Sequence, residues 1–145
     1  ARLAGPLVCM LADVDFFKQV NDQYGHQVGD RVLRQIASIL GQDLRGSDVL
    51  ARYGGEEFVL LLPGTTQAQG AAIAERLRSN VEHSAFIIPE GVDLDVTVSI
   101  GLVCLEPGVD TYGPDPAVWL FQQVDTALYE AKQTGRNRVV HAHPP

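Results

Sequence analysis

Two pairs of acidic residues lie where an apolar, strand-like segment meets a polar one. Asp13 and Asp15 follow the apolar run 7–12, and Glu56 and Glu57 follow two glycines. Residues two apart on a strand project to the same face. If the two strands are neighbours, three or four carboxylates converge, and their charges raise one another's pKa unless a cation joins them. Such oxygens suit Mg²⁺ or Mn²⁺. The alternative is a solvated hairpin tip with a capping aspartate.

A second polar run follows the first acidic pair directly. It contains Lys18, Asn21, Asp22, His26 and Asp30. Polar side chains and glycines that follow a buried strand often contact phosphates and bases. Asparagine and aspartate can pair with the edge of a guanine, and lysine can neutralise a phosphate. Helix capping by Asn21 or Asp30, with His26 at the surface, is the alternative interpretation.

An α+β fold must position these residues. Apolar patterns predict strands over 7–14, 49–53, 58–62, 92–105 and 138–140, with the alternating strand 92–105 half-buried and residues 141–145 in a frayed tail. Helical spacing predicts helices over 30–40, 65–81 and 117–133, with Thr65 as an N-cap and a break at Gly25. Gly54 and Gly55 are expected to supply the positive φ angles of a hairpin. This order predicts a central, mostly antiparallel sheet flanked by helices.

Composition restricts the class of protein. The 145 residues suit a single domain, 1–145, and 11 basic against 18 acidic residues give a net charge of −7. That balance argues against a nucleic-acid partner and against membrane contact by this domain. The apolar runs are far shorter than the ~20 residues that span a bilayer. Cys9 and Cys104 are expected to be reduced core thiols, which fits a cytoplasmic location.

Three segments carry a family resemblance. They are DVDFFKQVNDQYGHQVGD at 13–30, RYGGEEF at 52–58 and VDTALYEAKQTGRN at 124–137. Together they resemble the GGDEF domain of the diguanylate cyclase family, with Glu56 as the accepted variant at its Asp/Glu position. The likeness runs from about residue 7 to residue 140. It implies a fold like the polymerase palm and the class III nucleotidyl cyclases, and the condensation of two GTP into cyclic di-GMP with release of pyrophosphate.

The resemblance also implies roles for the acidic residues and the first lysine. Asp13, Glu56 and the backbone carbonyl of Val14 would bind Mg²⁺ or Mn²⁺. Glu56 would also accept the proton of the ribose 3′-hydroxyl, and Lys18 would stabilise the transition state. Glu57 is placed in the catalytic set without a defined role, and Asp15 would bind a second metal or support the first.

Further positions match the family's substrate contacts. Asn21 and Asp30 match guanine-recognising residues, and His26 matches another substrate contact. Lys132 and Arg136 match a pair that holds the terminal phosphates. Each domain would hold one GTP, so the working unit is expected to be a homodimer.

A product-binding site is also implied. Arg45 and Asp48 match the family's RxxD inhibitory site for cyclic di-GMP, and Arg76 matches its second arginine. Guanidinium groups bind phosphate and guanine, and a carboxylate accepts from guanine N–H groups. A non-catalytic sensor of GTP or cyclic di-GMP is the alternative function. A nucleotidyl cyclase for another base is a third, against which Asn21 and Asp30 favour guanine.

One departure concerns the segment before Asp13. Family members usually carry a Leu-Thr-Gly-Leu…Asn-Arg-Arg stretch some tens of residues earlier, whereas only twelve residues precede Asp13 here. The expectation is a domain truncated at its N-terminus, from a protein whose upstream sensor or regulatory domain lies outside this chain.

Overall fold

The computed structural model describes residues 5–89, 91, 93–108 and 113–142. The strands are β1 (Leu7–Val14), β2 (Val49–Arg52), β3 (Glu57–Pro63), β4 (Phe86–Ile87), β5 (Asp93–Leu94), β6 (Val98–Leu105) and β7 (Val139–His141). The helices are α1 (Phe17–Tyr24), α2 (His26–Gly41), α3 (Gln67–Glu82) and α4 (Pro116–Gln133). None of the helices in these ranges is both long and apolar enough to cross a membrane.

Five strands form one sheet in the order β2-β3-β1-β6-β7. β1 pairs antiparallel with both β3 and β6, β2 pairs antiparallel with β3, and β7 runs parallel to β6. β4 and β5 pair in a separate two-stranded sheet. The predicted mostly antiparallel sheet with flanking helices is therefore confirmed.

Both faces of the central strand β1 are covered. Val8 and Met10 face the core formed with α2 and α3, whereas Cys9 and Leu11 face α4. Successive side chains of a strand point to opposite faces, so a strand buried on both sides must be apolar throughout. This explains the continuous apolar run of β1. Helix α4 covers the second face of this strand, and the C-terminal end of the helix lies near the polar end of the strand.

The prediction of one half-buried strand over 92–105 is wrong in two respects. β6 begins only at Val98, and Asp93–Leu94 belongs to the small separate sheet; Val92 lies outside the described residues. β6 is also buried at every position, including Ser99. The reason is that α3 packs on one face of β6 and α4 on the other.

The β2–β3 hairpin does not use its glycines as predicted. Neither Gly54 nor Gly55 has a positive φ. The N–H groups of Tyr53 and Gly54 instead donate to the Glu57 carbonyl, at 2.8 and 3.4 Å. The guanidinium of Arg52 donates to the carbonyls of both glycines. Residues 53–56 form a loop long enough to reverse the chain without a left-handed residue.

Further boundaries differ from the sequence prediction, and one break is confirmed. Thr66 caps α3, because its hydroxyl accepts from the Gln69 N–H and its own N–H donates to the Gln69 side chain. Thr65, the predicted cap, is buried and accepts from Arg45 instead. His141, expected in a frayed tail, belongs to β7. Gly25, at φ 90°, is a break as predicted, but the segment before it forms the helix α1, which was not predicted, and α2 begins at His26 rather than at residue 30.

Candidate active site

A cleft of about 410 Å³ opens where the end of β1 meets the hairpin loop before β3. The two meet because β1 and β3 are antiparallel neighbours. The start of α1 and the C-terminal end of α4 complete the walls. The cleft is lined by Asp13, Val14, Phe16, Phe17, Lys18, Gln19, Asp22, Glu56, Lys132 and Arg136.

Three carboxylates lie close enough to influence one another. The strand register places Asp13 opposite Glu57, and the Val14 N–H donates to the Glu56 carbonyl at 3.2 Å. Burial raises the pKa of Glu56 and of Glu57, and the charge of Asp13 raises both further. Burial also raises the pKa of Asp13, although its contact with Lys132 opposes the shift. A cation in the cleft would relieve this repulsion.

Cationic side chains approach the same cleft from two helices. Lys132, in the last turn of α4, donates to Asp13 Oδ2 at 2.6 Å. Lys18, in the first turn of α1, pairs with Asp22 at 3.3 Å and is largely exposed. The Arg136 guanidinium lies 4.8 Å from the centroid of the Phe16 ring. The cleft thus joins acidic groups to three cations.

Asp15 is hydrogen-bonded to protein groups, and its charge contributes to the raised pKa of Asp13. The fully buried Asp15 carboxylate accepts from the hydroxyls of Thr97 (2.7 Å) and Ser99 (2.6 Å) and from the Asn137 N–H (3.0 Å). Of the three or four carboxylates expected to converge, that of Asp15 is thus engaged by protein donors, and the Arg136 guanidinium lies 3.9 Å from it. Asp15 is not among the residues that line the cleft.

The remaining acidic residues suit a metal ion whose other ligands are water and substrate phosphates. Within the described ranges, no three His, Cys, Asp or Glu side chains form a ready-made ion site. Mg²⁺ commonly takes one or two carboxylates and completes its shell with water and substrate phosphates. Asp13 and Glu56 supply such a pair.

Asn21 presents a buried acceptor without a partner. Its Oδ1 atom is enclosed yet receives no hydrogen bond in the structure. Gly29 lies directly against this atom, and a Cβ at that position would collide with it. Because an unpaired buried acceptor lowers stability, such an atom is a candidate ligand contact.

The other predicted substrate residues lie on α2, outside the lining of this cleft. Asp30 is exposed and borders a second cavity of about 400 Å³, together with Leu33, Arg34, Ala37, Leu50, Arg52 and Phe58. His26 is exposed at the first residue of α2. Of the predicted substrate contacts, Lys132 and Arg136 line the first cleft and Asp30 lines the second, whereas neither lining includes Asn21 or His26.

The predicted inhibitory residues lie near the connection between α2 and β2. Arg45 forms a 2.9 Å ion pair with Asp48 and also donates to the Pro63 carbonyl at 2.7 Å. Burial raises the pKa of Asp48, but the hydrogen bonds and charge of Arg45 outweigh burial and lower it overall. Arg76, on α3, lies 4.0 Å from Asp43 in the same connection.

Comparison with known proteins identifies the family. The family profile described as "Diguanylate cyclase, GGDEF domain" matches residues 1–138. The chain belongs to the GGDEF family. The response regulator PleD of Caulobacter vibrioides is 44% identical to this GGDEF domain over 142 residues, 97% of the chain and 30% of PleD. Diguanylate cyclase A of Treponema denticola is 44% identical over 135 residues, 92% of the chain and 34% of that protein.

Solved structures agree with the family and the fold. The GGDEF domain of DgcB from Caulobacter crescentus, in complex with c-di-GMP, superposes with a TM-score of 0.86 at 34% identity. That match covers 95% of this chain and 78% of that one. The active GGEEF domain of a Vibrio cholerae diguanylate cyclase superposes with a TM-score of 0.84 at 31% identity, over 97% of this chain and 85% of that one. The chain spans about a third of the length of the curated relatives named above.

Sequence reasoning missed two residues that shape the site of this GGDEF domain. Arg52 fixes the hairpin loop that carries Glu56. Asn137 follows Arg136 in a left-handed turn and contacts Asp15. The sequence contained a signal for each residue. Arg52 precedes a glycine-containing loop whose carbonyls its side chain can reach. The Gly-Arg-Asn run that contains Asn137 follows a helix and is typical of a left-handed C-terminal turn.

Proposed function

We propose that this GGDEF domain condenses two molecules of GTP into cyclic di-GMP with release of two pyrophosphates. The observation that supports it best is the cleft in which Asp13 and Glu56 meet Lys18, Lys132 and Arg136. Transfer of a nucleotidyl group requires positioning of a triphosphate and neutralisation of its charge. The relatives named diguanylate cyclases support the same reaction.

The cofactor in this proposal is Mg²⁺ or Mn²⁺. The carboxylates of Asp13 and Glu56 and the backbone carbonyl of Val14 would hold it. When bound, the cation neutralises the triphosphate and stabilises charge that develops on the phosphate oxygens. The burial and mutual repulsion of the carboxylates are consistent with this role, because a cation removes the repulsion.

The cations of the chain bind the substrate in this proposal. Lys132 and Arg136 hold the terminal phosphates, which leave as pyrophosphate. Lys18 stabilises the charge that develops at the attacked α-phosphate. Its exposed pair with Asp22 contributes little to stability, so exchanging this partner for a phosphate costs little.

Glu56 serves as the proton acceptor for the ribose 3′-hydroxyl. A base works best when its pKa approaches the operating pH, and the pKa of Glu56 is already raised by burial and by the charge of Asp13. The charge of Glu57 raises it further. We therefore assign Glu57 to tuning of the catalytic base.

Asn21 selects guanine in this proposal. Its unpaired Oδ1 accepts from an N–H group on the Watson–Crick edge of guanine, where adenine presents a ring nitrogen without hydrogen. Asp30 accepts a second guanine N–H, and His26 contacts the substrate from the start of α2. Two domains, each with one GTP, must face each other to form both phosphodiester linkages.

Product inhibition is part of the proposal. Arg45 and Asp48 would bind cyclic di-GMP, assisted by Arg76 from α3. The ion pair of Arg45 with Asp48 holds the two groups in a defined geometry before any ligand arrives. The intact site also suits the alternative function, a sensor that binds cyclic di-GMP without making it.

Turnover distinguishes the two functions. The domain is incubated with GTP and Mg²⁺, and the nucleotides are separated by chromatography. We expect cyclic di-GMP from the wild-type domain and at least a hundredfold less from Glu56→Gln, which keeps the shape of the side chain but cannot accept the proton. Equal product from both proteins would contradict the role of Glu56. Binding of cyclic di-GMP without any turnover would favour the sensor.

A further inference from the structure

The turn after α4 carries two successive residues in the left-handed backbone region. Arg136 has φ 63° and Asn137 has φ 46°. L side chains adopt this region rarely, so contacts from outside the turn must hold it. In the described part of the chain, the other non-glycine residue with positive φ is Phe16, whose ring packs against the Arg136 guanidinium. Backbone strain is thus concentrated around a side chain that lines the cleft.

Helix α3 holds the side chain of Asn137. Its Oδ1 accepts from Arg78 Nη1 at 2.7 Å, and its Nδ2 donates to Glu82 Oε2. Arg78 and Glu82 lie one helical turn apart and pair with each other at 3.4 Å. Because both ends of the carboxamide are engaged, Asn137 cannot rotate without losing both contacts.

Arg78 is itself fixed in place. Only 14% of its side chain is exposed, and Glu75 binds it through Nη2 at 2.6 Å and Nε at 2.9 Å. The pKa of Glu75 is lowered by this hydrogen bond. A planar guanidinium can bind a carboxylate and an amide oxygen at once, which a lysine ammonium does with less defined geometry.

The main chain of the turn is held from the opposite side. The Asn137 N–H donates to the buried carboxylate of Asp15, at the end of β1. The Arg136 N–H donates to the Ala131 carbonyl at 2.9 Å, which ends α4. With the turn held by α3 and by Asp15, the Arg136 side chain lines the cleft, where its guanidinium lies over the Phe16 ring and 3.9 Å from Asp15 Oδ1.

We propose that Arg78 and Glu82 are positioning residues: through Asn137 they hold the turn so that Arg136 is aimed at the terminal phosphates of GTP. This inference rests on the proposed function, because it requires Arg136 to meet a phosphate. A cation that is fixed beforehand loses less conformational freedom when it binds, so its contact with the phosphate is stronger. Arg78 and Glu82 act through Arg136 and do not touch the substrate.

If the contacts between α3 and the turn served only as a structural brace, different effects on binding would be expected. Loss of such a brace would lower the stability of the domain and would reduce the affinity for nucleotides with and without terminal phosphates equally. A positioning role instead couples Arg78 to Arg136, and a double-mutant cycle measures that coupling. The relevant readout is therefore the affinity for GTP compared with GMP.

The experiment compares Arg78→Met, Arg136→Met and the double variant by calorimetric titration with GTP and with GMP. Methionine keeps an unbranched apolar stem in place of the arginine. We expect Arg78→Met to lower the affinity for GTP about tenfold and to change the affinity for GMP by no more than about twofold. In the Arg136→Met background, we expect Arg78→Met to have no further effect on either affinity. Arg31→Met, the same exchange at an exposed position of α2, is the matched control and leaves both affinities unchanged.

Asn137→Gly keeps the inference testable if Arg78→Met does not fold. Glycine adopts the left-handed backbone without strain but cannot contact α3, so we expect the same tenfold loss for GTP. Unchanged GTP affinity in both variants, equal losses for GTP and GMP, or a loss that persists in the Arg136→Met background would overturn the inference. A wild-type domain that binds no GTP, or an Arg136→Met variant that binds it normally, would instead overturn the proposed function on which the inference rests.

Discussion

Asn21 illustrates a conflict between stability and binding at the scale of one residue. A buried acceptor without a partner costs about 1–3 kcal/mol, whereas an apolar group of similar shape avoids that cost. The Asn21 Oδ1 atom is in this position, enclosed against Gly29 and without a hydrogen bond. In our account guanine supplies the missing donor, so the protein retains an unfavourable group for the sake of its substrate.

We therefore predict opposite effects of Asn21→Leu on stability and on selectivity. The melting temperature of the nucleotide-free domain should rise by about 2–4 °C, which corresponds to about 1 kcal/mol. The preference for GTP over ATP should fall at least tenfold, because the guanine N–H loses its acceptor. Calorimetric melting and competitive nucleotide titration measure the two effects. A lower melting temperature with undiminished selectivity would show that Oδ1 is neither costly nor functional.

At the scale of elements, helix α4 sits unusually close to the sheet at one point. A Cβ at Gly101 of β6 would lie 2.5 Å from the Leu128 amide nitrogen and 2.6 Å from the Val124 carbonyl oxygen. These are main-chain atoms of α4, so they cannot rotate away as a side chain would. Since Lys132 and Arg136 follow on the same helix and its C-terminal turn, this contact helps to set the distance from Asp13 of the two cations that we propose to bind phosphate.

Gly101→Ala should accordingly affect both folding and binding. Overpacking against the α4 main chain should cost about 2–3 kcal/mol and lower the melting temperature by about 5–10 °C. GTP affinity should fall as well, because α4 must shift. Gly46→Ala is the matched control, since Gly46 has no positive φ and its added Cβ would have open space around it. A Gly101→Ala variant as stable as the control would refute the close packing.

The sequence predicted elements whose causes are local and missed those whose causes are distant. β1 was predicted because its buried position requires a continuous apolar run, and residues 30–40 of α2 because their apolar side chains recur at helical spacing. The start of β6 was not predicted correctly, because Thr97 and Ser99 form hydrogen bonds with Asp15, which lies more than eighty positions earlier in the chain.

The same distinction holds within the candidate site. The meeting of Asp13 and Glu56 follows from adjacent strands and could be predicted. Thr66, unlike Thr65, is followed three residues later by a glutamine, a local capping-box pattern that the prediction overlooked, whereas the contact of Thr65 with the distant Arg45 has no local signal. The contact of Arg78 with Asn137 joins residues 59 positions apart and leaves no local pattern.

At the scale of the whole molecule, the proposed reaction needs more than one copy of the domain. Among its described residues one domain offers one such cleft, with one set of cations that we propose to bind phosphate, whereas cyclic di-GMP contains two linkages. Two domains must therefore bring two GTP molecules together, each supplying a 3′-hydroxyl to the other.

This requirement predicts how turnover depends on concentration. At low concentration, the rate of cyclic di-GMP formation per domain should rise in proportion to the domain concentration, because encounters of two domains limit it. It should level off once dimers dominate, which analytical ultracentrifugation can follow in parallel. A rate per domain that stays constant across dilutions at which the protein is monomeric would contradict the requirement for two domains.

The central claim is that Asp13 and Glu56, with Lys132 and Arg136, form the site for a GTP–metal complex. A crystal structure of the domain with Mg²⁺ and a GTP analogue that cannot react at its α-phosphate tests this most directly. We expect the ion to lie between the Asp13 and Glu56 carboxylates, and the terminal phosphates to form hydrogen bonds with Lys132 and Arg136. A triphosphate bound outside this cleft, or an ion held by neither carboxylate, would contradict it.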